Sequence, residues 1–313
     1  MSKPNNSTEI QVNETTQKAS WQVDKGQERA RNEDNVRVAT VQLGDEEDGQ
    51  AMGVYAVADG AGGHPAGNVA SRITAYTATR QLTAHADEAS EEWPPDYQEW
   101  LHNAVSLANR VLVTLNRKQD TRRDMLTTLV LAAVVGNEAH IVNVGDSRAY
   151  VIQETGIHQI TKDHSFAQLL VDEEVIQPED AADHPRKNVL TQAMGQDRLT
   201  ADLYGVTLKD DDYLLLCSDG LWGELDDDQI WQIVRQSASV QTACQNLVDA
   251  ANIAGGQDNI AVVLVQINNQ PKKYWLRQTA YALGQKIGWS VARFIDRVGD
   301  VVRGRGANPD VLP

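Results

Sequence analysis

The stretch Thr127-Thr-Leu-Val-Leu-Ala-Ala-Val-Val-Gly-Asn-Glu-Ala-His-Ile-Val-Asn-Val-Gly-Asp-Ser-Arg148 sets two apolar, β-branched runs on either side of Gly136-Asn137. A two-residue turn of this composition between such runs marks an antiparallel hairpin, so the reading is a strand over 127–135 and its return over 138–144. Working outward, Met52 to Ala58 is a short apolar strand that stops at Asp59, and Ala66 to Ala84 follows with small and apolar residues at helical spacing. Further strands fit Arg148 to Gln153, Tyr213 to Cys217 and Ile260 to Ile267; helices fit Tyr97 to Lys118, Asp226 to Gln236 and Gln241 to Ile253. Hairpins with grouped helices point to an α+β fold built mainly on antiparallel sheet.

The composition suits one soluble domain with tails: 313 residues, 41% hydrophobic and 23% charged. A formal net charge of -16 argues against a nucleic-acid backbone as partner, because such polymers are gripped by Lys and Arg. Cys217 and Cys244 are too few and too far apart for a disulfide framework or a zinc knuckle, and Cys217, inside an apolar strand, reads as a core thiol. A reducing, cytoplasmic setting is the expectation, with neither a secretory leader nor a membrane-length apolar run in sight. Residues 1–20 are polar and read as a disordered leader, with the folded body expected over 21–268 and a tail over 269–313.

Acidic residues recur at one kind of place, the end of an apolar strand or a turn beside Gly or Asn. They are Glu33 and Asp34, Asp59 before Gly60, Asp146 after Gly145, Asp219 before Gly220, and Asp258 before Asn259. Any one Asp-Gly pair is most simply a turn. Repeated at several strand ends, carboxylates can converge on one cleft and supply the oxygen ligands that Mg²⁺ or Mn²⁺ prefers. Pattern alone leaves ordinary turns and a metal site equally open.

Six blocks in order carry a family resemblance: Arg29-Ala-Arg-Asn-Glu-Asp34, Asp59-Gly-Ala-Gly-Gly-His64, Thr127-Thr-Leu129, Asn143-Val-Gly-Asp-Ser-Arg148, Leu216-Cys-Ser-Asp-Gly-Leu-Trp222 and Gly256-Gln-Asp-Asn-Ile260. The chain resembles the metal-dependent protein phosphatases, the type 2C serine/threonine phosphatases, in their bacterial form. The resemblance implies a four-layer sandwich of two antiparallel sheets flanked by helices. It also implies two Mn²⁺ or Mg²⁺ ions per site with a weaker third. Asp59 would bridge the pair with the Gly60 carbonyl on one ion, Asp219 and Asp258 would hold the other, Asp146 would serve the third, and Asp34 and Glu33 would act largely through metal-bound water. Arg29 would clamp the substrate phosphate, its planar fork matching two phosphate oxygens, while Arg31 reads as a surface arginine. The general acid is either His64 or a metal-bound water, since the position two after Asp59 holds Ala61. The polar segment from Ser165 to Met194 corresponds to a flap that frames substrate entry.

The activity implied is hydrolysis of phosphoserine and phosphothreonine on proteins, opposing a serine/threonine kinase. The alternatives are a phosphatase of one dedicated regulator and a catalytically silent phosphoprotein-binding module. Beyond Gln270 the charge reverses, with eight Lys and Arg against three Asp, and apolar residues recur at three- and four-residue steps. A basic amphipathic tail is expected, docking on its own acidic body, a partner or an anionic membrane surface.

Overall fold

The computed structural model describes residues 10–12, 17–43, 50–61, 66–88, 96–118, 124–181 and 184–268. Eleven strands and seven helices follow in chain order. They are β1 (Ile10–Val12), β2 (Gln17–Asp24), β3 (Asn35–Leu43), β4 (Gln50–Ala58), α1 (Gly67–Glu88), α2 (Tyr97–Lys118), β5 (Leu129–Val135), β6 (Glu138–Val144), β7 (Arg148–Gln153), β8 (Gly156–Gln159), α3 (Phe166–Asp172), α4 (Pro178–Ala181), β9 (Asp202–Thr207), β10 (Tyr213–Cys217), α5 (Asp219–Trp222), α6 (Asp227–Gln236), α7 (Val240–Ala254) and β11 (Ile260–Ile267).

The strands form two sheets, six-stranded in the order β1-β2-β11-β10-β7-β8 and five-stranded in the order β3-β4-β5-β6-β9, with every pairing antiparallel. The period of two along a strand explains the layering. In β5, Leu129, Leu131, Ala133 and Val135 enter the core under α1 and α2, while Val130, Ala132 and Val134 enter the core between the sheets. In β11, Ala261, Val263, Val265 and Ile267 face that same central core, and Ile260, Val262 and Leu264 face α6 and α7. Central strands are therefore apolar on both faces, and the four-layer expectation holds. The 136–137 turn is the expected one, with Gly136 at φ 60°, the conformation that glycine takes without a Cβ penalty.

The structure moves the start of the body. Residues 17–20, placed in a disordered leader by their polarity, lie in β2 beside β11, and Ile10–Val12 pairs with β2. Gln17 is polar yet buried because it is satisfied: its Nε2 donates to the Val134 carbonyl at 3.1 Å, and its Oε1 accepts from the Tyr55 hydroxyl at 2.9 Å. At the other end of the expected hairpin, Thr127 and Thr128 leave the strand before β5 begins, because their hydroxyls are taken by the Asp59 backbone. Cys217 and Cys244 are both buried and unpaired. Among the described residues no helix is long and apolar enough to cross a membrane. The leader before Ile10 and the tail from 269 lie outside the described residues.

Candidate active site

The ends of β4, β10 and β11 and the turn between β6 and β7 bring Asp59, Asp219, Asp258 and Asp146 to one edge of the sandwich, where the segment 25–34 meets them. Each is held by backbone fixed from a distant part of the chain. The Asp59 amide donates to Thr128 Oγ1 at 2.9 Å, and the Asp59 carbonyl accepts from Thr127 Oγ1 at 2.6 Å. The Gly60 amide donates to the Glu33 carbonyl at 3.2 Å, and a Cβ at Gly60 would stand 2.5 Å from the Gly67 carbonyl. Only glycine permits that approach, which presses the start of α1 against the Asp59 turn.

Asp34 is buried, and its Oδ2 accepts from Ser218 Oγ at 2.6 Å while Ser218 Oγ accepts from the Ala261 amide. Asp59 lies within hydrogen-bonding reach of both Asp34 and Asp219. Burial pushes these carboxyls up, Asp34 to about 7 and Asp219 to about 6, and their mutual repulsion adds to the shift. Burial and the same neighbours hold Asp59 and Asp146 well above the usual carboxylate range. So many acids cannot all ionise side by side in low dielectric without a compensating cation.

The donor set suits a hard cation. Asp34 Oδ1 and Asp219 Oδ1 are buried and have no hydrogen-bond partner among the described residues, which leaves oxygen lone pairs inside the cluster for a ligand to satisfy. No three His, Cys, Asp or Glu among the described residues already surround one cation position.

Arg29 Nη2 bonds Asp258 Oδ2 at 2.5 Å, and its side chain remains 42% exposed. Arg31 is 69% exposed and pairs with Glu33 at 3.3 Å, in keeping with a surface role. Asp258 Oδ1 accepts from the Asn259 amide at 2.7 Å. His64, the sequence candidate for the acid, lies outside the described residues. The remaining candidates, Arg29, Glu33, Asp34, Asp59, Gly60, Asp146, Asp219 and Asp258, all lie on segments that meet at this edge.

Several supports escape a sequence reading. Asn259 is buried and joins three backbone groups of the Arg29 segment, accepting from Glu33 N at 2.7 Å and donating to the carbonyls of Lys25 at 2.8 Å and Arg31 at 3.0 Å. Arg148 grips Asp163 through two nitrogens, at 2.9 and 2.7 Å, donates to Tyr150 Oη at 2.8 Å and lies 3.7 Å over the Trp222 ring. Trp222 Nε1 in turn donates to the Asp146 carbonyl at 3.1 Å, so this group braces the Asp146 turn against α5. Ser218, Trp222, Arg148 and Asn259 all stand inside the six sequence blocks, but nothing in the type of Asn259 signals three long-range bonds.

A family model described as Protein phosphatase 2C matches residues 27–252. Among curated proteins, the serine/threonine phosphatase stp of Listeria welshimeri is 35% identical over 256 residues, 81% of this chain and 97% of that protein. Among solved structures, the Mycobacterium tuberculosis serine/threonine phosphatase PstP/Ppp aligns with a TM-score of 0.70 and 31% identity, covering 81% of this chain and all of that one. A structure of the PstP catalytic domain in complex with two manganese ions aligns with a TM-score of 0.67 and 30% identity, over 81% of this chain and 99% of that one.

Proposed function

This chain belongs to the protein phosphatase 2C family, and on that premise we propose how its own residues carry the reaction. It is a protein-serine/threonine phosphatase that acts on phosphoproteins with Mn²⁺ or Mg²⁺ as cofactor. The observation that carries the assignment of residues is the buried acid cluster with two unpartnered oxygens beside an exposed arginine.

Asp34, Asp59, Asp146, Asp219 and Asp258, with the Gly60 carbonyl, would hold the cations, and Glu33 would act through water at their periphery. When bound, the cations supply Lewis acidity and lower the pKa of a water for attack on phosphorus. Arg29 orients the phosphate. Among the described residues its guanidinium bonds through Nη2 alone, which leaves the other nitrogens of the fork to take phosphate oxygens. Asp258 holds that fork at the site rim until substrate competes for it. Ser218 keeps Asp34 turned inward, and Thr127 and Thr128 fix the backbone on which Asp59 stands. His64 is the side-chain candidate to protonate the leaving serine or threonine oxygen. The segment 165–194, which contains α3 and α4, frames the substrate.

Retention of the whole acid cluster supports catalysis over a silent binding role, because a binding module gains nothing from burying mutually repelling carboxyls. A cognate serine/threonine kinase is the expected source of substrate. The basic residues beyond Gln270 support docking on an anionic surface, whether the chain's own, a partner's or a membrane's; liposome co-sedimentation with and without the tail distinguishes the last of these.

Hydrolysis of a phosphothreonine peptide and of p-nitrophenyl phosphate with Mn²⁺, and its loss in EDTA, tests the reaction. Asp219→Asn is expected to abolish turnover and weaken Mn²⁺ binding in calorimetry while the protein stays folded. Full activity in that variant overturns the residue assignment.

A further inference from the structure

On a chain whose net charge is -16, one face carries positive charge that no described carboxylate neutralises. Arg72, Tyr76 and Arg80 succeed one another at four-residue steps on α1, which puts them on one helix face. Arg72 and Arg80 are exposed, and Tyr76 is 48% exposed. Arg80 Nη1 donates to the Tyr76 hydroxyl at 3.1 Å. Arg37, from the edge strand β3 that α1 covers, stands 5.4 Å from the centroid of the Tyr76 ring, and its Nε is buried with no hydrogen-bond partner among the described residues. None of Arg37, Arg72 and Arg80 has an ion pair with a described residue, whereas Arg29, Arg31, Arg117, Arg148 and Arg235 all do.

The face is continuous with the active site. The first residue of α1, Gly67, stands against Gly60, and Ser71 Oγ donates to the Glu33 carbonyl at 2.5 Å. At about 1.5 Å per residue, Arg72, Tyr76 and Arg80 lie roughly 8, 14 and 20 Å along the helix from that point. An extended peptide advancing about 3.3 Å per residue covers the same distances in about two to six residues. We propose that this face is a docking site for an acidic segment of the phosphoprotein substrate, whose Asp and Glu side chains lie about two to six positions from the phosphorylated residue. The inference deepens the phosphatase assignment and rests on it.

Charge favours this occupant. Forked guanidinium groups around a ring suit carboxylates, and among the described residues of α1 Tyr76 is the only large apolar side chain exposed, too little for insertion into a lipid surface. A basic substrate segment is repelled here and is better matched to the acidic residues Asp172, Glu173, Glu174, Glu179 and Asp180 of the 165–194 segment. The two faces make opposite predictions about substrate preference, which the experiment separates.

The test compares three phosphothreonine peptides, with acidic, neutral and basic residues at those flanking positions, on the full chain with Mn²⁺ and on its Arg72→Glu/Arg80→Glu variant. Hydrolysis of p-nitrophenyl phosphate by both proteins is the control, and its absence in the unmodified chain is a failure of the phosphatase reading instead. The unmodified chain is expected to show the lowest KM for the acidic peptide. In the variant that KM rises about three- to tenfold, the effect of losing two exposed ion pairs, with kcat and p-nitrophenyl phosphate turnover unchanged. The contrast fades at high salt. A preference for the basic peptide, equal KM values, or a variant that loses binding to anionic vesicles while keeping its peptide KM values overturns the proposal.

Discussion

Replacing Asn259 by Asp changes one atom type and is expected to do disproportionate damage. The native amide accepts one bond, from Glu33 N, and donates two, to the carbonyls of Lys25 and Arg31. The carboxylate keeps the first and turns an oxygen toward the two carbonyls, which then lack donors in a buried place. Two lost hydrogen bonds with their acceptors stranded cost roughly 2–5 kcal/mol. For a domain of this size that lowers Tm by about 5–15 °C. The same three bonds hold the segment that carries Arg29, so catalysis suffers as well as stability. A displacement of about 1 Å in a positioning group costs on the order of a hundredfold in rate, and with Arg29 as the proposed phosphate clamp the loss should fall mainly on KM for p-nitrophenyl phosphate. Urea unfolding and steady-state kinetics on Asn259→Asp and Asn259→Ala check both parts. An Asn259→Asp protein whose unfolding free energy and KM match the parent would refute the reasoning.

Other outcomes follow from the same structure. Cutting one partner from the buried pair Arg148–Asp163, as in Asp163→Ala, should cost about 3–5 kcal/mol in urea unfolding, while the double variant Arg148→Met/Asp163→Leu recovers much of that loss. His140 stacks on Tyr97 at 4.6 Å, and burial lowers its pKa below the usual 6.5. The unfolded chain therefore binds the proton more readily, so the contribution of a neutral His140 is complete above about pH 6.5 and is lost as pH falls toward the folded value. Unfolding midpoints at pH 7.5 and 5.5 should differ less in His140→Gln than in the parent.

The fold was legible wherever burial is two-sided. β4, β5, β6, β10 and β11 lie between packed layers, and their mainly apolar content, unbroken in β5 and nearly so in β11, announces them. The half-buried strands were harder: β9 alternates partly buried and exposed residues, and β8 is short and polar. β2 is hidden by Gln17, whose burial depends on Tyr55 and on the Val134 carbonyl, groups far away in sequence. The same limit applies to the site. Aspartates at strand ends are visible as a repeated local pattern, but Ser218, Asn259 and the two threonines act through bonds to segments as many as 234 residues distant, and serine, threonine and asparagine in turns have commonplace local reasons to be there.

β11 lies between β2 and β10, so the strand that completes the sheet is the last of the described strands to be synthesised. Arg29 and Glu33 precede Asp258 and Asn259, which hold them, by more than two hundred residues. At roughly 5–20 residues per second, that is an interval of about 10–50 s in which β2 lacks its neighbour and the acid cluster its last member. A nascent chain in this state has no working site with which to strip phosphate from proteins around it, and an interrupted one is left with unpaired sheet edges open to proteolysis. On this reading catalytic competence requires translation through Ile267, the end of β11.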